Sequence, residues 1–91
     1  MELIDFDSAS LDKSGKTLTI VGTTPTSNWK IELEPLVYVQ QPDYWEIRVM
    51  GEQQAPFLNV LTPYTKTKDV THTFGKKGIV VVGKNKRQQL P

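Results

Sequence analysis

Apolar residues recur at every second position through most of this chain and almost nowhere at the three-to-four spacing of a helix, a pattern that predicts strands. Residues 3–6 open the series, with Ile4 and Phe6 on one face. Residues 12–16 make a turn in which Gly15 is free to take a positive φ. Residues 16–22 alternate again, with Leu18 and Ile20 inward, so the two strands predict a hairpin. The stretch 7–11 between them fits either one helical turn or a bulged strand. Residues 23–28 read as a polar loop, closed to any ladder by Pro25. Trp29, Ile31 and Leu33 then face one way and Lys30, Glu32 and Glu34 the other, until Pro35 ends the strand.

Residues 36–40 (Leu-Val-Tyr-Val-Gln) predict a short strand. Residues 44–51 predict a longer one, with Trp45, Ile47 and Val49 toward the core. Residues 57–62 predict another, and Pro63 assigns its end to an edge or a bulge. Residues 66–74 are polar on one side, with Val70 and Phe74 on the other, and a glycine-flanked turn at 75–78 follows. Residues 79–83 are apolar on both faces, which places that strand centrally in a sheet. Residues 84–91 are polar and basic and read as a flexible tail.

About seven or eight short strands with Gly and Pro between them predict an all-β fold, a small antiparallel two-sheet sandwich of the immunoglobulin-like kind. A small β-barrel is the alternative. Two tryptophans on separate strands favour the sandwich, because they fill the gap between facing sheets. At 91 residues the chain is a single domain, expected over 1–83 with 84–91 outside it.

Composition narrows the chemistry. With no cysteine, disulfides, thiolate nucleophiles and Cys-based metal sites are all excluded. One histidine, His72, leaves no multi-His metal site within the chain, and no cofactor is expected. The longest apolar run, residues 79–82, is far short of the ~20 residues of a membrane-spanning helix. The first residues are acidic where a secretory leader is basic and then apolar, so the expected location is cytoplasmic. Nucleophilic catalysis lacks its constellation, since the serines at 8, 10, 14 and 27 all read as lying in turn-like segments with no strained-elbow context. The carboxylate pairs Asp5/Asp7 and Glu32/Glu34 sit at i, i+2 spacing, as solvated strand residues do. The chain is therefore expected not to be an enzyme.

Binding remains, and three surfaces could carry it. The first is the loop Thr23, Thr24, Thr26, Ser27, Asn28 with Trp29 at its junction, because loops at the ends of a sandwich reach a partner without disturbing the core. The second is the polar loop of residues 52–56, with Ala55-Pro56 at its end. The third is basic: Lys66, Lys68, Lys76, Lys77, Lys84, Lys86 and Arg87 oppose Asp69 alone, whereas the first 65 residues hold nine acids against four bases. Such polarity marks an anion-binding face if the charges converge, or simply neighbouring strands that neutralise one another. Nucleic-acid recognition would want exposed aromatics among the bases, and that third of the chain holds only Phe74. Lysines on an edge strand also deter aggregation.

The run Val21-Gly22-Thr23-Thr24-Pro25-Thr26-Ser27-Asn28-Trp29-Lys30-Ile31-Glu32-Leu33, followed by Val60-Leu61-Thr62-Pro63-Tyr64, resembles small bacterial immunoglobulin-like domains of uncharacterised function. A more distant similarity runs to protease-inhibitor-like and protease-complex-associated β-sandwich domains. The Asn-Pro-Thr-Thr-Gly-Tyr stretch of chagasin-type inhibitors is missing. The resemblance implies a β-sandwich and, through the inhibitor-like domains, regulation of a protease. The combined expectation is a cytoplasmic module, monomer or homodimer, that binds another protein through its end loops. Anion or nucleic-acid binding through the basic third is the alternative, and no membrane partner is expected.

Overall fold

Eight strands and no helix make up the computed structural model, which describes residues 1–91. They are β1 (Glu2–Leu3), β2 (Ser8–Leu11), β3 (Thr17–Thr24), β4 (Trp29–Pro35), β5 (Tyr44–Gln53), β6 (Thr62–Asp69), β7 (Gly78–Val82) and β8 (Arg87–Leu90). One sheet has five strands and the other, in the order β2-β3-β6, has three. In the larger sheet β5 takes β4 along one side. Along its other side it takes β1 at its C-terminal half and β7 at its N-terminal half, with β8 beyond β7. Neither sheet closes on itself, so the architecture is a two-sheet sandwich and not a barrel.

The core follows from the alternation. Leu18 and Ile20 from β3 meet Ile47 and Val49 from β5 and Ile79 and Val81 from β7, all fully buried. Each such side chain contributes roughly 1.5–3 kcal/mol relative to exposure. β7 lies between β5 and β8, and Val80 on its outer side is buried as well, as its two-faced apolar run predicts.

One pairing departs from the expected antiparallel sandwich: β5 and β7 run parallel. Parallel neighbours need a long crossover. Here residues 54–77 supply it, visiting the other sheet as β6 on the way.

Four local expectations are corrected. The hairpin partner of β3 is β2, in register Ser8↔Val21 to Leu11↔Leu18, and not residues 3–6. Between β1 and β2 the chain crosses from one sheet to the other, so Ile4 and Phe6 alternate like strand residues while plugging the seam. Residues 36–40 form no strand, and Val37 and Val39 are wholly exposed. Pro35 ends the ladder. Beyond it the Trp45 indole N–H donates to the Leu36 carbonyl oxygen (2.9 Å), and Tyr38 stacks edge-on against Trp45 at 5.2 Å. Residues 57–61 form an exposed loop, and β6 begins only at Thr62 and stops at Asp69. There the Asp69 carboxylate accepts the Thr71 N–H (2.8 Å) and turns the chain.

Finally, residues 84–91 are not a free tail. They contain β8, which pairs with β7 from Ile79↔Leu90 to Val82↔Arg87, and Gln88 Nε2 donates to the Ala9 carbonyl oxygen of β2 at 2.9 Å. No helix in the fold is long and apolar enough to cross a membrane.

Candidate functional site

The β3–β4 and β5–β6 connections meet at one end of the sandwich, and their polar groups are spent on each other. Thr23 and Thr24 close β3 instead of opening the loop. Thr23 points outward opposite Pro63. Thr24 is buried, and its hydroxyl donates to the Thr26 carbonyl oxygen at 2.7 Å, with that of Thr62 at 3.2 Å. The Thr26 hydroxyl accepts the Trp29 indole N–H (2.8 Å) and donates to Gln53 Oε1, while Gln53 Nε2 donates to the Ser27 carbonyl oxygen (2.7 Å). Ser27 brackets Leu58: its N–H donates to the Leu58 carbonyl oxygen (3.0 Å), and its Oγ accepts the Leu58 N–H (2.8 Å). Asn28 takes the left-handed conformation (φ 61°), which asparagine tolerates better than most residues, and its Nδ2 donates to the Pro56 carbonyl oxygen (2.9 Å).

Of the residues expected to contact a partner, Thr24, Thr26, Ser27, Asn28 and Trp29 thus take part in a clamp, and Thr23 stands outside it. What the clamp presents is the loop 54–61, with Phe57 48% exposed, Leu58 71%, Val60 51% and Leu61 73%. No charged residue lies between Gln53 and Thr65, nor between Thr17 and Trp29, so this end is apolar and neutral. Ser27, Pro56, Phe57 and Leu58 surround a shallow depression of about 260 Å³. A separate cleft of about 260 Å³ lies beside Trp29, between Leu3, Ile4 and Pro25, with Glu2, Asp5 and Lys84 among its lining residues. The Asp5 carboxylate is already occupied there, accepting the backbone and side-chain N–H groups of Asn85 (3.0 and 3.2 Å).

Sequence reasoning missed the apolar loop because four large hydrophobic residues read as core. Two signals could have revealed it. Phe57 and Leu58, like Val60 and Leu61, are adjacent, so one of each pair must point away from a core. Prolines 56 and 63 also bracket the run against strand pairing.

The basic residues do not converge. Lys66 and Lys68 stand on β6, at the edge of the smaller sheet farthest from β2. Lys84, Lys86 and Arg87 lie at the β7–β8 turn, on the flank where β8 meets β2. Lys86 Nζ donates to the Asp7 carbonyl oxygen and sits 5.3 Å above the Phe6 ring. Lys76 and Lys77 belong to the turn before β7, which is bonded through backbone N–H groups to Pro42 and Asp43. Among four ion pairs only Lys77–Asp43 (4.0 Å) joins the acidic part of the chain to the basic part. His72 is exposed in the turn after β6, not on a strand. Ser8 and Ser10 lie on β2, not in turns, and Glu32 and Glu34 project from the outer side of β4. No group of three or more His, Asp or Glu side chains is placed to hold a metal ion.

Compared with known proteins, the chain matches no family model, no curated protein and no solved structure.

Proposed function

We propose that this domain is a non-catalytic binding module that captures another protein on the apolar tip formed by Phe57, Leu58, Val60 and Leu61. The observation that carries the reading is the clamp. Exposed apolar side chains on a loose loop would collapse or wander, whereas Ser27 and Asn28 fix this loop by its backbone at Leu58 and Pro56, and Gln53 in turn holds Ser27. Such preorganisation lowers the ordering cost of binding. A neutral apolar centre is also what the buried middle of a protein interface contains. The absence of cysteine suits a reducing compartment, and we place the module in the cytoplasm on that ground.

The test is comparative capture from lysate by the immobilised domain. Leu58→Ser with Leu61→Ser should lose bound proteins without lowering the melting temperature. Val37→Ser with Val39→Ser, still more exposed but in the β4–β5 connection, should keep them. A Leu58→Ser/Leu61→Ser variant that captures the same proteins as the parent removes the tip from consideration.

A further inference from the structure

The long flank along β6 is open for hydrogen bonding. β6 pairs on one side only, with β3. The bond from the Val70 N–H to the Lys16 carbonyl oxygen (2.8 Å) fixes the alternation of that ladder. With Leu18 opposite Lys68 and Ile20 opposite Lys66, the even-numbered residues of β6 exchange bonds with β3 and the odd-numbered ones turn theirs away. The N–H groups of Thr65 and Thr67 and the carbonyls of Pro63, Thr65 and Thr67 thus have no partner in the chain, and all three residues are exposed.

The other edges are managed. β2 and β8 are stitched to each other through Gln88, and β1 is two residues long. β4 carries mixed charge, and its Leu33 is only 6% exposed. β6 is eight residues long, and its charges have one sign on the side that overhangs the sandwich. Lys66 and Lys68 lie on the same face as Ile20 and Leu18, and neither has an acidic partner. A second copy of β6 centred on Lys66 would set that lysine against its own counterpart, so like pairing is disfavoured.

We propose that β6 accepts an extended acidic peptide as a fourth strand of the smaller sheet. Main-chain bonds to Thr65 and Thr67 hold the peptide, and Asp or Glu at alternate peptide positions, opposite Lys66 and Lys68, selects it. In an antiparallel ladder the two lysines occupy non-hydrogen-bonded positions, where facing Cα atoms approach to about 4.5 Å and side chains are closest. The outer side of β6 carries Thr65 and Thr67, uncharged opposite the peptide's other face, and its one carboxylate, Asp69, stands at the far end of the strand, where it accepts the Thr71 N–H. This surface is separate from the apolar tip, and neither assignment depends on the other.

The probe is a fluorescein-labelled heptapeptide of alternating Glu and Thr, followed by anisotropy at low salt. Two controls accompany it: the same peptide with Lys for Glu, and one with its Thr amides N-methylated so that strand pairing is blocked and charge kept. The parent domain should bind the Glu–Thr peptide alone. Lys66→Glu with Lys68→Glu should weaken that binding about tenfold and favour the lysine peptide. Lys66→Gln with Lys68→Gln should fall between. Leu58→Ser/Leu61→Ser should bind like the parent, which separates this surface from the tip. Absent binding of the Glu–Thr peptide overturns the proposal. So does equal binding of the N-methylated peptide, which reduces the effect to loose ionic attraction, or charge-reversed protein that binds as before.

Discussion

Tyr64 and Gly22 show how one residue depends on the absence of another. They are register partners on β6 and β3, and a Cβ placed on Gly22 would lie 2.5 Å from the tyrosine hydroxyl. The hydroxyl donates to the Asp5 carbonyl oxygen at 2.7 Å, tying β6 to the segment that crosses between the sheets. Gly22→Ala should therefore cost about 1–3 kcal/mol in denaturant unfolding, because the ring must leave its seat. Burial pushes the Tyr64 phenol up to about 12 from its ordinary 10.0, with the Asp7 and Asp5 carboxylates adding to the shift. The folded state thus holds the proton more tightly than the unfolded one. This contribution is fully present below pH 10 and is lost as pH rises from 10 toward 12. The expected signature is a stability gap between the parent and Tyr64→Phe that is widest near neutral pH and narrows across that window. A gap independent of pH would mean that the hydroxyl senses no burial.

At the scale of elements, alternation was a sound guide wherever the backbone had a sheet to join. β3, β4, β5 and β7 fall close to where periodicity puts them, because Leu18, Ile20, Leu33, Ile47 and Val49 have a facing layer to meet. It misled where the same period arises locally. Val37 and Val39 flank Tyr38, whose ring packs on Trp45, so the alternation records one aromatic contact and two solvent-facing valines. Val37→Ser with Val39→Ser should accordingly change stability by no more than about 0.5 kcal/mol in thermal or chemical melts, the range of ordinary surface substitutions. β8 was illegible for the opposite reason. Its Arg-Gln-Gln-Leu sequence carries little apolar signal, and its place is set by backbone bonds to β7 and one side-chain bond to Ala9. The candidate site was half legible. The Thr- and Ser-rich segment before Trp29 marks that end of the sandwich, but nothing in residue type says that Ser27 and Asn28 turn inward to grip Leu58 and Pro56. The turn at 12–16 was legible in full: Gly15 has φ 72°, and the Asp12 carboxylate accepts the Lys16 N–H at 2.9 Å.

Across the whole molecule, the two ends of the chain hold each other in place. Asn85 bonds the Asp5 carboxylate, Lys86 the Asp7 carbonyl oxygen and Gln88 that of Ala9, while β8 covers the free side of β7. Deleting residues 84–91 should remove all three contacts and uncover Val80. The expected outcome is a lower, broader thermal transition, with faster amide exchange in β2 and β7 than in the β3–β6 pair. Unchanged protection in β7 would show that β8 adds nothing. The same stitching carries a consequence for how the molecule comes into being. During synthesis β2 and β3 can pair early, but β5 waits for β7 to gain its parallel neighbour, and the seam beside Phe6 waits for Lys86. Contacts between residues so far apart in sequence slow folding. Until residues 84–91 have emerged from the ribosome, the apolar faces of β5 and β7 stay open to chaperones or to other nascent chains, and the seam closes only once that stretch is free to pair.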